Sequence, residues 1–135
     1  MSDSSSVPGI VVLNRRIEPE ELRQHRSLSL ERWAGFGRDQ QILMIANEMN
    51  RATRFLTVQD GAPRTNCYER VLRLTDLTIQ TQPARGFRRE LLRWRDLVAE
   101  LYISPEPDPA AHRSALRCLL QFTPEAARQI PWIAP

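Results

Sequence analysis

The sequence has no lysine. All 19 basic residues are arginine, set against 16 acidic ones, for a formal net charge of +3 over 135 residues. An arginine-only surface suits phosphate or carboxylate, because the planar guanidinium grips either in a bidentate way. A GC-rich genome would give the same bias through codon usage, and the many alanines and prolines fit that explanation too. A nucleic-acid protein should also cluster its charge, so the count alone does not choose between them.

The other shortages exclude more. There are two cysteines, Cys67 and Cys118, far apart and without a CxxC spacing. They make no disulfide framework and are expected to be free, mostly buried thiols of a reducing compartment. Two histidines, His25 and His112, are too few for a His-rich metal site within one chain. No Glu-x-x-His pair occurs, which excludes the carboxylate di-iron arrangement of helical bundles. Gly-rich phosphate loops, HExxH, nucleophile elbows, EF-hands and zinc spacings are also missing. No metal and no cofactor are expected. No apolar run approaches the roughly 18 residues that cross a bilayer. The longest near the start, Ile10-Val11-Val12-Leu13, follows a Ser-rich acidic stretch rather than a basic one. The expectation is a cytoplasmic protein without a membrane partner.

What is present is helical periodicity. Residues 1–16 are expected to form a flexible or extended arm, and residues 17–135 a single helical domain. The first helix should open at Glu18-Pro19-Glu20-Glu21, where Pro and acids suit a first turn, and end at Gly35 and Gly37. Asp39 is expected to cap a second helix reaching about Thr57. Its stripe is Ile42, Ala46, Met49, Thr53 and Leu56, widened by Leu43, Met44 and Phe55. A loop over residues 59–63 should follow. The Asn66/Glu69 spacing then suggests a cap for the third helix, with Tyr68, Val71, Leu72, Thr75 and Ile79 inward. Gln82-Pro83 ends it. The fourth helix, about Phe87 to Ile103, carries the stripe Phe87, Leu91, Trp94, Val98 and Leu101, joined by Leu97. A Pro-rich connector ends with Asp108 as cap and Pro109 at the first position of a fifth helix. Thr123-Pro124 opens a last short one, closed by Pro131, with Trp132 and Ile133 tucked onto the domain. The fold class is all-α: an antiparallel bundle of four main helices, with an additional N-terminal helix or a short C-terminal capping helix.

Few positions could carry chemistry. Glu48 edges a nearly all-apolar surface. It is either a buried acid able to move a proton or hold a cation, or a rim residue paired with Arg51 or another helix's Arg. Asp76 falls in the row Glu69, Arg73, Asp76, Gln80, whose spacing suits a solvated salt-bridge ladder. His112 lies on an apolar face, where a lone His is usually a core-edge residue with a satisfied ring nitrogen. Arg88, Arg89, Arg93 and Arg95, with Arg85, crowd the fourth helix and could bind anions. Trp94 among them falls on the apolar stripe, which removes the stacking platform that single strands need.

Three functions remain open: a non-catalytic helical interaction protein acting as regulator, adaptor or scaffold; a weak, sequence-indifferent nucleic-acid binder; and a small enzyme using a buried acid or His. The first is favoured, since no catalytic constellation exists and the second and fourth helices carry more apolar residues than one stripe needs. Leu43, Met44, Phe55, Leu92 and Ile103 are the candidate interface of a homodimer, or of an unknown protein partner. The competing outcome is a monomer in which Ile10 to Leu13 and Trp132 to Ile133 cover those faces.

Overall fold

The structure is a computed structural model, and it describes residues 30–135. The expected arm over residues 1–16 and the opening of the first helix lie outside the described residues. Residues 30–34 are helical (α1). The compact unit described below runs from Trp33 to Pro135. Its main elements are α2 (Arg38–Ala52), α3 (Gly61–Thr81), α4 (Arg85–Ile103) and α5 (Pro109–Leu120). Two short pieces follow, α6 (Pro124–Ala127) and α7 (Ile130–Ile133). The fold is all-α, with no strand among the described residues.

Helix boundaries follow local chemistry, not always the chemistry expected. The N-cap of α2 is Gly37, and Asp39 stands in the first turn instead, where its charge suits the positive end of the dipole. After Ala52 the chain tightens into two single 3-10 turns, Thr53–Phe55 and Val58–Asp60. The loop expected over residues 59–63 is largely helix, because α3 opens at Gly61, five residues before the Asn66 cap. Pro63 is tolerated there, since a first-turn N–H has no intrahelical partner to lose. The start of α5 is as expected: the Asp108 carboxylate accepts from Ala111 N at 3.0 Å, and Pro109 takes the first position. Thr123 caps α6 in the same way, from Ala126 N at 3.2 Å. Pro131 does not close a helix; it sits in the first turn of α7. Trp132, expected to tuck inward, is 80% exposed.

The core gathers one stripe from each long helix. Ile42, Ile45, Ala46 and Met49 of α2 meet Tyr68 and Val71 of α3, Leu91, Trp94 and Val98 of α4, and Leu116, Leu119 and Leu120 of α5. The principal neighbours of α2 are α3, α5 and α6; those of α4 are α3 and α5. Trp94 satisfies its indole N–H on the Ala115 carbonyl at 2.8 Å, so its burial leaves no orphan donor.

Two buried polar clasps fix the ends of α2. At its start, fully buried Gln41 donates to the carbonyls of Trp33 (2.7 Å) and Phe36 (3.2 Å) and accepts from Gln82 (3.0 Å). Trp33 in turn donates to Thr78 at 2.9 Å. Just beyond its far end, buried Arg64 donates to the carbonyls of Phe55 (3.0 Å) and Thr57 (2.7 Å), satisfying backbone acceptors where the chain joins the two 3-10 turns.

Candidate functional site

Among the described residues no titratable side chain is more buried than His112, 1% exposed in the first turn of α5. Its Nδ1 lies 2.8 Å from the Tyr68 hydroxyl and its Nε2 lies 3.1 Å from Thr53 Oγ1. The Thr53 hydroxyl is 3.4 Å from the Met49 carbonyl, to which it donates. One proton arrangement satisfies the whole chain: Tyr68 O–H donates to Nδ1, Nε2–H donates to Thr53, and Thr53 donates to Met49. A second ring proton would leave the Tyr68 hydroxyl without its acceptor. Burial pushes the imidazole down to about 4, reinforced by Arg113 and opposed by a backbone hydrogen bond at Met49. Burial also pushes the Tyr68 phenol up to about 12. Both groups are therefore neutral at pH 7, and the ring has no face left for a ligand. Tyr68 was legible as an inward residue, whereas Thr53, expected on the inward stripe, is exposed beyond the end of α2 and only its hydroxyl turns to His112.

The two acids are held elsewhere. Glu48, whose side chain is 16% exposed, accepts from Arg70 Nε at 2.9 Å and has an Arg51 nitrogen at 3.3 Å. Arg70 also reaches Cys67 Sγ at 3.5 Å, and burial pushes that thiol up, away from a reactive thiolate. Asp76 takes Arg95 of α4 in a two-pronged contact of 2.6 and 3.2 Å. Glu69 likewise reaches across, accepting from the Tyr102 hydroxyl at 2.8 Å. The expected row along α3 is thus a pair of ties between α3 and α4. Glu48, Asp76 and His112 do not share one cluster. No group of three metal-ligating side chains occurs among the described residues.

The arginines of α4 are divided in the same way. Arg93 pairs with Glu90 at 2.9 Å and Arg95 with Asp76, while Arg88 and Arg89 are exposed. Asp96 and Glu100 lie on the exposed side of the same helix. On the apolar side, Leu43, Met44 and Phe55 are partly buried and packed against the core. Leu92 is 49% exposed and Ile103 76%, joined on α4 by Leu97 at 46%, which was expected in the core stripe. Cys118 is also exposed rather than buried, and both cysteines are free. It lines a groove of about 530 Å³ between α4 and α5, with Leu97, Leu101 and Ala115 on its walls and Glu100 and Asp108 among its polar groups. No basic side chain lines this groove, so it offers nothing to an anion.

No described helix is long and apolar enough to cross a membrane. The chain matches no protein-family model, no curated protein and no solved structure. What remains to define it is its class, an all-α protein with a hydrogen-bonded polar interior and single apolar side chains exposed along α4.

Proposed function

We propose that this protein is a non-catalytic helical interaction module of the cytoplasm, a regulator, adaptor or scaffold, that docks through the outer face of α4 and self-associates. Its scaffold is an antiparallel bundle of four main helices. The observation that carries this reading is the exposure of Leu92 and Ile103 on one outer side of a helix that buries Leu91, Trp94 and Val98 completely or nearly so. Apolar residues grouped on one exposed helix face mark interaction sites more often than do scattered ones.

The enzyme alternative lacks a meeting point, since its three candidate groups are each occupied by protein partners in separate places. The nucleic-acid alternative has Arg88 and Arg89 in its favour, but Glu90, Asp96 and Glu100 stand among the arginines of the same helix. A phosphate-binding stripe would be free of acids.

The test is affinity capture from native extract with the wild-type chain and with a Leu92→Glu/Ile103→Glu double variant whose helicity is verified by circular dichroism. The reading expects captured protein to be lost with the variant, whether that protein is the same chain or another. Capture that is identical for both, or that consists of nucleic acid, overturns it.

A further inference from the structure

We infer that the occupant of the α4 face is a second copy of the chain, lying antiparallel, with Leu92 against the partner's Ile103 and Arg93 against the partner's Glu100. The inference rests on the interaction reading above and names its partner.

The spacing of the outer face comes first. Leu92, Asp96, Ala99 and Ile103 follow one another by four, three and four residues, the seam of a two-helix contact. Leu92, Asp96 and Ile103 are exposed and Ala99 is half-buried, on a side of the helix turned away from buried Trp94. In an antiparallel pair the seam stacks Leu92 on the partner's Ile103 and Asp96 on the partner's Ala99. Each contact occurs twice, because a twofold axis makes the interface self-complementary. Ala99 leaves room for the Asp96 carboxylate to tilt toward water. A polar residue in a seam fixes register at some loss of affinity.

Charge then decides the direction. From Arg85 to Arg95 there are five arginines and one glutamate. From Asp96 to Asp108 there are four acids and no arginine. A parallel pair would set the basic half against the basic half. An antiparallel pair sets each basic half against the partner's acidic half. The positions flanking the seam sharpen this: Arg93 and Glu100 each follow a seam residue by one step, and in the antiparallel arrangement they meet across the axis. Among the described residues, the ion pair Arg93 gives up is the exposed contact with Glu90, which is worth little in water.

The experiment uses the purified chain in a Cys118→Ser background. Light scattering over micromolar concentrations should show a monomer–dimer equilibrium. Leu92→Cys and Ile103→Cys are then oxidised separately and mixed. The antiparallel register brings position 92 next to the partner's position 103. It leaves like positions about 16 Å apart along the helix, too far for a disulfide. Cross-linking is therefore expected on mixing and not in either variant alone. Arg93→Glu and Glu100→Arg should each weaken the dimer about tenfold, and the combined reversal should restore it. A monomer mass throughout, same-site cross-links, or no rescue by the double reversal overturns the inference. If a purified monomer still captures protein from extract through Leu92 and Ile103, the second copy and self-association are excluded while docking through α4 stands.

Discussion

Helices α2 and α4 look alike in the sequence and behave differently in the fold. Both carry more apolar residues than a single inward stripe requires. In α2 the extra ones, Leu43 and Met44, are partly buried, because α3, α5 and α6 surround it. In α4 the extra ones, Leu92 and Ile103, stand in water, because its principal neighbours, α3 and α5, cover only one side. Among the described residues, the same composition thus means core in one helix and exposed surface in the other. What separates them is position in the packing, which no periodicity within a helix encodes.

The largest expected effects come from the sides on which the two helices agree. Trp94→Ala should cost about 3–5 kcal/mol, and Ile45→Ala about 2–5 kcal/mol, by lost transfer energy plus cavity. Chemical denaturation measures both. A loss under about 1 kcal/mol for Trp94→Ala would mean that α4 is not anchored through this face, and the comparison would collapse.

Next in size is a pH effect confined to the α2 side, where Thr53, Tyr68 and His112 join the end of α2 to α3 and α5. His112 takes its proton near pH 6.5 when unfolded and only near about 4 when folded. The native state is therefore fully favoured above pH 6.5. Stability falls as pH drops from 6.5 toward 4, because the unfolded chain binds a proton that the native one refuses. Below about 4 this contribution levels off. The integrated loss is about 3 kcal/mol. Urea midpoints between pH 7 and 4 should fall more steeply for the wild type than for His112→Gln. Parallel curves would remove the histidine from the account.

How far the sequence reached depends on the range of the interaction involved. The start of α5 was legible because Asp108 and Pro109 act within one turn. The start of α3 was not, because the Asn66/Glu69 spacing imitates a cap while Gly61 to Thr65 continue a helix that Pro63 does not interrupt. The inward faces of α3 and α4 followed from periodicity, down to Tyr68 and Trp94, with Leu97 the exception that stands exposed. Partners across helices did not: Asp76 belonged by spacing to a ladder on α3, and only the orientation of α4 brings Arg95 to it. His112 on an apolar face was a sufficient warning of a satisfied ring nitrogen. That both nitrogens are taken, by residues 44 and 59 positions away, is a property of packing.

A smaller pair of effects tests the difference between the helices directly. Met44→Ala in α2 should cost about 1–2 kcal/mol, the share expected for a half-buried side chain. Leu92→Ala in α4 should change the stability of dilute protein by less than about 0.5 kcal/mol. Equal losses at the two sites, by thermal or urea unfolding, would show that exposure in the isolated chain does not distinguish them.

The smallest effect on the single chain should accompany the clearest effect on assembly. Ile103→Glu replaces a side chain that is 76% exposed near the end of α4, so the dilute protein should unfold within about 0.5 kcal/mol of the wild type. If a second copy binds the native α4 face and not the unfolded chain, mass action makes wild-type stability rise with protein concentration. Removing that face removes the rise. Melting temperatures of the wild type should therefore climb between low and high micromolar concentration, while those of Ile103→Glu stay level and meet the wild-type value at the dilute end. Met44→Ala should lower the whole curve and keep its slope, since it weakens the fold and leaves the face intact. A flat wild-type curve, or a slope that survives Ile103→Glu, would place the apolar outer side of α4 on the same footing as that of α2 and leave the exposed leucine and isoleucine without a partner of their own kind.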